Sequence, residues 1–421
     1  MTRRARARRG NAGFTLVELM VALTGGLFIS LAVFALSRDS GRFYQGETRI
    51  ANATIGGMLG FERLRTDIAR AGFLSSPNAT LDRRLCGSPD SNWPVALQNL
   101  ASLRVTTPVG TYPSLAANGR TPPALLLAGA YASSDLFGVT SYMNGNRIVF
   151  RLGNLYPGHP AQPALLRLGN GDWPTAAAIA SVFPVGGALR IVQNGRQYYG
   201  VIDSTTGGSD PLVTITNVPP VKQLGDAIGC GLNVIGSAAS KATINPINFI
   251  RYQLGTPHTV TGIANYQPLY AASNAGDAAP GEVGRTELMR VEQGLDGADI
   301  DGSEEVVAEY AVDFNLQITV ATNYSTCCDP TLTVIPPSSA QFATYTGAVY
   351  GSPNTMPERV RSVRVRLGVR SREGDRSTTL ANPTGGGLFR FNLGTGNADA
   401  FARVRTFQAD VFLHNQADIT W

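Results

Sequence analysis

The feature that most constrains this chain is a run of 23 mainly apolar residues, Phe14 to Leu36, interrupted by one charge, Glu18. A helix rises about 1.5 Å per residue, so the run can cross a hydrocarbon core of roughly 30 Å. Arg3, Arg4, Arg6, Arg8 and Arg9 precede it, with no acidic residue among them. Cations so placed stay on the cytoplasmic side of a bilayer, which puts everything after Ser37 on the other side. The rest of the chain is then expected to be a domain tethered at its N-terminus.

Charge follows the same division. The chain holds 35 Lys and Arg against 30 Asp and Glu, and the whole excess of five lies in the first 13 residues, leaving 30 of each beyond them. A basic isoelectric point is then no footprint of a nucleic-acid partner, and none is expected.

Glu18 needs an explanation, because a carboxylate within an apolar membrane helix costs about 2.5–3.5 kcal/mol on insertion scales. It can reach the headgroups or take up a proton, or it can pair with a cation brought by another subunit. An ordinary secretory signal would share the basic and apolar regions, with Val33-Phe34-Ala35 as its cleavage site, and a plain signal anchor would share the length. Neither gives Glu18 a role.

The stretch Gly13-Phe14-Thr15-Leu16-Val17-Glu18-Leu19 resembles the class III signal of type IV pilins and type II secretion pseudopilins. The resemblance implies that a membrane aspartyl peptidase cuts between Gly13 and Phe14 and that Phe14 becomes N-methylated. It also implies that Glu18 meets the Phe14 amine of a neighbouring subunit. Leu64-Arg65-Thr66-Asp67-Ile68-Ala69-Arg70-Ala71-Gly72-Phe73 is similar to a helix end of PilW-type minor pilins. Val306–Phe314 looks like their later segment in which a helical turn leads into a strand, and Val360–Arg372 with Arg403–Asn415 is similar to their closing strand pair.

Beyond Leu36 the pattern turns amphipathic: Phe61, Leu64 and Ile68 fall at helical spacing, while Arg63 and Asp67 lie four residues apart on another face. A spine helix from about Phe14 to Ala71, stopped at Gly72, would resemble the long pilin helix. Gly25, Gly26, Gly41, Gly46, Gly56, Gly57 and Gly60 each weaken it by up to about 1 kcal/mol, which predicts a kink or local melting near Gly25 or Gly41. The 47 Gly and 25 Pro, with 15% charged residues, favour short strands and many turns in the remainder. Strands are expected at Ala124–Leu127, Arg147–Arg151, Ala188–Gln193, Leu212–Thr216, Asn248–Gln253, Leu288–Glu292, Val307–Val320, Arg359–Arg370 and Ala402–Leu413. In Arg359–Arg370, Val363, Val365, Leu367 and Val369 alternate with Arg364, Arg366 and Arg370. The fold class is α+β, a long N-terminal helix followed by a large antiparallel β-rich head. Its organisation is a leader at 1–13, a transmembrane and polymerisation helix at 14–36, an amphipathic continuation at 37–72, and a head at 73–421 with an insertion or second lobe at 86–245.

Four cysteines, Cys86, Cys230, Cys327 and Cys328, allow three pairings; Cys86–Cys230 is a simple staple, and pairing the adjacent Cys327 and Cys328 closes a small strained ring. In an exported protein disulfides are the default reading. His159, His258 and His414 are far apart and no CxxC occurs, so no metal site is expected. The acidic stretch with Asp296, Asp299, Asp301, Glu304 and Glu305 suggests either calcium or a solvated loop. In an EF-hand register with Gly302 as the turn glycine, Gly297 and Ala308 fall where ligands belong. The arginines Arg359, Arg361, Arg364, Arg366, Arg370, Arg372 and Arg376 suggest binding of DNA phosphates, a solvated strand face, or pairing with that acidic loop. No GxSxG elbow, phosphate-binding GxxxxGK[ST] loop, HExxH or complete GxGxxG is present, so neither an enzyme nor a cofactor is expected.

The resemblance implies a PilW-type minor pilin that primes assembly of a type IV pilus, is incorporated into it near the tip, and presents an adhesin for cell adhesion. The implied partners are the prepilin peptidase, other major and minor pilins, the inner-membrane assembly platform and a tip adhesin. The implied location is the inner membrane, single-pass with a periplasmic head, and then the surface pilus. The J-type pseudopilin of type II secretion shares the signature, and a pilus-borne adhesin or ligand-binding module is the alternative of another class.

Overall fold

A computed structural model describes residues 15–108, 112–144, 147–152, 162–216, 230, 232, 241–255, 285–322, 330–372, 374, 382, 386–393 and 401–417. It divides between Asn52 and Ala53 into two units. Helix α1 (Leu16–Ala69) supplies the first unit and enters the second without a break. The melting expected near Gly25 or Gly41 does not occur. Each glycine costs at most about 1 kcal/mol, which the many residues of one continuous helix outweigh, and at Gly25 a backbone opened within so apolar a run would leave polar groups with nothing to bond in a bilayer.

The second unit is α+β, with every ladder between its strands antiparallel. Ten strands make the larger sheet: β1 (Leu103–Thr106), β2 (Ala124–Gly129), β3 (Phe137–Asn144), β4 (Arg147–Arg151), β5 (Ala188–Gln193), β6 (Arg196–Thr206), β7 (Leu212–Ile215), β8 (Lys241–Gly255), β9 (Glu287–Gln293) and β10 (Glu305–Ala308). Five make the smaller: β11 (Ala311–Thr322), β12 (Thr331–Ile335), β13 (Val360–Arg370), β14 (Arg390–Asn392) and β15 (Phe401–Phe412), in the order β12-β11-β13-β15-β14.

Within the larger sheet, β8 pairs β3, β3 pairs β4, β4 pairs β7, β7 pairs β6, β6 pairs β5, and β5 returns to β8. Six strands thus close on themselves into a small barrel, which removes their free edges. Phe137, Phe150, Leu189, Ile191, Val213 and Ile244 fill it, with Leu165, Ile179 and Val182 added by two short helices, Pro163–Leu168 and Ala176–Val182. The other half of β8 leaves the barrel and pairs with β2 and β9.

The second core lies where α1 meets both sheets: Phe61, Leu64 and Ile68 pack with Ile250, Tyr252 and Leu288 of the larger sheet and with β11, β13 and β15 of the smaller. Buried positions 57, 60, 61, 64, 67, 68 and 71 keep the three-and-four spacing of one helix face. Gly57 and Gly60, read from sequence as weak points, are what allows the approach. A Cβ on Gly57 would come within 2.7 Å of Phe407 and Val369, and one on Gly60 would overlap the carbonyl oxygen of Val307. Gly72, at φ +73°, ends the helix and donates its N–H to Ala128 O at 2.8 Å.

The expected segment Val307–Val320 is two strands, β10 and β11, and no helical turn precedes β11. Tyr310 takes a left-handed conformation (φ 54°), held by its N–H on Glu287 Oε2 at 2.7 Å and by its ring under the Arg285 guanidinium.

Candidate processing and assembly site

Gly13 and Phe14 lie outside the described residues, which begin at Thr15. Thr15 caps α1: its Oγ1 accepts from Glu18 N at 3.2 Å. Glu18 Oε2 reaches back to accept from Thr15 N at 3.0 Å and from Thr15 Oγ1 at 2.9 Å. This is a reciprocal capping box, which answers helix N–H groups that otherwise have no partner and contributes about 1 kcal/mol. Read from sequence, Glu18 lacks a local partner; the Thr15-Leu16-Val17-Glu18 spacing is the signal that supplies one. Both bonds fall on Oε2, and Oε1 accepts from no described residue.

From Leu16 to Leu36 the apolar side chains are exposed all around the helix, Leu16, Phe28 and Leu36 among the most exposed. A helix apolar on every side belongs in a membrane or among other apolar helices. This stretch is long and apolar enough to cross a bilayer.

The head grips the last turns of α1 through a buried polar cluster. Asp67 is 3% exposed, and its Oδ2 accepts from Arg290 Nε at 3.0 Å and from Tyr252 OH at 2.8 Å. Tyr252 on β8 and Arg290 on β9 are directly paired in register, so their side chains leave the sheet on the same face. Burial first, and then the Asp67 carboxylate, push the Tyr252 hydroxyl far above its ordinary value and keep it a donor. Beside it Tyr131 OH donates to the backbone oxygen of Asp67 at 2.9 Å, and Arg70 donates to Ala130 O at 2.7 Å. The sequence suggested an outward Arg63–Asp67 pair. Those two groups are 3.9 Å apart, but the carboxylate points inward, because Arg290 and Tyr252 satisfy it from a distance in sequence that no local pattern reveals.

The other candidates separate. Cys86 and Cys230 are joined by a disulfide with a Cα–Cα distance of 5.5 Å, while Cys327 and Cys328 lie outside the described residues. Two arginines of β13 pair with carboxylates of their own sheet. Arg364 makes two bonds to Asp410, at 2.8 and 2.9 Å, and Arg366 pairs with Asp313 at 2.7 Å. Arg370 is fully buried against the rings of Tyr310 and Phe391, donating to Ser371 O and Arg372 O. The acidic loop turns to other partners: Asp299 pairs with Arg251, and Glu305 lies 3.7 Å from Arg290. Asp296 and Glu304 accept from the backbone of Ala298 and Gly302. Among the described residues no three His, Cys, Asp or Glu converge as a metal site would require.

The family model for the prokaryotic N-terminal methylation motif matches residues 8–24, a span that includes the Gly13–Phe14 bond and the Thr15–Glu18 cap. No curated protein and no solved structure matches the chain.

Proposed function

We propose, from an N-terminus of the type IV prepilin kind, that this chain is a PilW-type minor pilin. Prepilin peptidase cuts it between Gly13 and Phe14 and Phe14 is methylated. Residues 14–36 hold it in the inner membrane with the head in the periplasm. The assembly platform then moves it into a pilus, near the tip and among other pilins. Such a role is structural rather than catalytic.

The observation that carries this reading is Glu18. A capping box on a membrane helix can be built from a neutral side chain, yet here it uses a carboxylate at the fifth residue beyond the scissile bond, with one oxygen already satisfied and Oε1 open. A neighbour's N-terminal amine is a cation of the right size for that oxygen. The disulfide between Cys86 and Cys230 fits a head that matures in an oxidising compartment.

Mass spectrometry of the chain from cells is expected to find a mature start at methylated Phe14, and sheared pili to contain it at a small fraction of the major subunit. A start after Ala35, or an intact Met1, overturns the processing. Abundance equal to the major subunit overturns the minor role, and recovery with a secretion system instead of pili makes it a pseudopilin.

A further inference from the structure

Arg104 on β1, Leu126 on β2 and Arg251 on β8 are register partners and form one row across the larger sheet. Their neighbours Leu103, Leu127 and Ile250 point into the core that holds α1, so by strand alternation the row occupies the opposite face. On that face it floors a cavity of about 260 Å³, rimmed by α2 (Val95–Gln98), Asn99, Phe249 and Gln293.

Two features mark this cavity as a site. Arg251 is 7% exposed and pairs with Asp299, to which Gln293 also donates at 3.4 Å. Its charge is therefore matched, although its Nε is shielded from solvent and has no acceptor. Half-buried Arg104 is not matched: no described carboxylate lies within ion-pair distance and no described acceptor takes its hydrogen bonds. Its Nε is likewise shielded and unpartnered. Burial alone acts on it, lowering its pKa. A shielded guanidinium without an acceptor is costly, and a leucine or methionine would pack against Leu126 and Val95 without that cost. With Arg251 and Asp299 cancelling, the cavity keeps one positive charge and a planar fork of donors, which suits one planar monoanion.

We propose that this cavity binds a single carboxylate group, held by the Arg104 fork, from a small organic acid or from the C-terminus or side chain of a protein partner. This goes beyond assembly and does not depend on how the N-terminus is processed.

The test is calorimetry on the full chain in detergent micelles. The probes are butyrate, a short peptide with a free C-terminal carboxylate, the same peptide as its amide, and inorganic phosphate. Saturable binding of butyrate or the peptide acid, with no binding of the amide, is expected. Arg104→Met should weaken it at least tenfold, and Arg104→Lys, which keeps the charge but not the fork, by less. Peptide acid binding ten times more tightly than butyrate assigns the carboxylate to a protein, and comparable affinities assign it to a small acid. The ligand-free Arg104→Met protein should melt at or above the wild-type temperature, because it loses an unpaired cation. No binding of either carboxylate, equal binding of the amide, tighter binding of phosphate, or a lower melting temperature with binding retained would each overturn the proposal.

Discussion

Arg290 on β9 donates its Nε to the Asp67 carboxylate of α1 at 3.0 Å, across 223 residues of sequence, and Tyr252 closes the same oxygen from the neighbouring strand. Each group is buried, and each depends on the others for its hydrogen bonds. Removing one partner of a buried pair costs about 3–5 kcal/mol, and the lower end applies here because Glu305 and Glu292, at 3.7 and 3.9 Å, still face Arg290. Asp67→Ala is expected to lose stability of that order in urea titration of the detergent-solubilised chain. The double variant with Arg290→Ala should lose clearly less than the sum of the two single changes, and additive losses would show the groups to be independent.

Gly56 and Gly60 offer a sharper contrast. A Cβ on Gly56 meets nothing within 4 Å, whereas one on Gly60 runs into the backbone of Val307. Gly56→Ala should therefore stabilise by up to about 1 kcal/mol through helix propensity, and Gly60→Ala should destabilise by about 1–3 kcal/mol through overpacking. Melting temperatures of the two variants moving in the same direction would contradict this account of how α1 seats on the sheets.

Glu358 provides a pH dependence. It is 1% exposed; Asn78 Nδ2 donates to its Oε2 at 2.8 Å, and its Oε1 is shielded without a partner. Burial is the largest influence and raises its pKa above the ordinary 4.5, with the Asn78 bond and the charges of Arg359 and Arg361 opposing it. Below about 4.5 the group is protonated in both folded and unfolded chains and has no effect on their balance. As pH rises above that value the unfolded chain gives up the proton first, so stability falls until the folded chain ionises too. The isosteric Glu358→Gln should remove this part of the loss. Its melting temperature relative to wild type should rise between pH 4 and pH 7, and a constant difference would show that folded and unfolded chains hold the Glu358 proton equally.

The disulfide predicts a measurable loss on reduction. It links positions 144 residues apart, bringing Cys230 to a chain that donates Cys86 N–H to Gln197 O on the barrel at 3.0 Å. Bridges of this kind contribute about 2–4 kcal/mol, mainly by restricting the unfolded chain. Cys86→Ser, or reduction by dithiothreitol, should lower the melting temperature accordingly; no change under conditions that reduce the bridge would remove it from the stability of the head.

Capping and pairing by Glu18 can be separated. Glu18→Gln keeps an acceptor for Thr15 but loses the charge, whereas Thr15→Ala loses the cap and keeps the charge. Leader removal should survive in both. Incorporation into pili should fail for Glu18→Gln and persist for Thr15→Ala, as immunoblots of sheared pili would read. The reverse pattern would assign Glu18 to helix capping alone.

Much of this architecture was legible where local chemistry decides it. The apolar run became α1, Gly72 became its stop, and Val363, Val365, Leu367 and Val369 of β13 are all buried as their alternation requires. Strands Arg147–Arg151 and Ala188–Gln193 stand at the expected bounds. Strands β1, β3, β6, β12 and β14 were not anticipated: Phe137–Asn144 and Arg196–Thr206 lack clean alternation, β1 and β14 are only four and three residues long, and Thr331–Ile335 alternates but leaves Leu332 and Val334 exposed, so that all owe their state to partners. The break at Tyr310 was hidden because a tyrosine with positive φ leaves no compositional mark. Arg370 was read with its exposed neighbours, yet two aromatic rings and two carbonyls bury it completely. The Asp67 cluster and the Arg104 cavity were invisible for one reason: register between distant strands, and not spacing along the chain, brings their members together.

Strand β8 runs for 15 residues, about 50 Å at 3.3 Å per residue. Its first half is a stave of the barrel, and its second half carries Tyr252, which holds Asp67 of α1. A pull on the barrel therefore travels along one continuous strand and crosses to the helix through the Tyr252–Asp67 hydrogen bond. No loop or hinge lies in that path to stretch first. Tension on the barrel would thus be passed to Asp67 through the polar clasp that β8 and β9 close on the helix.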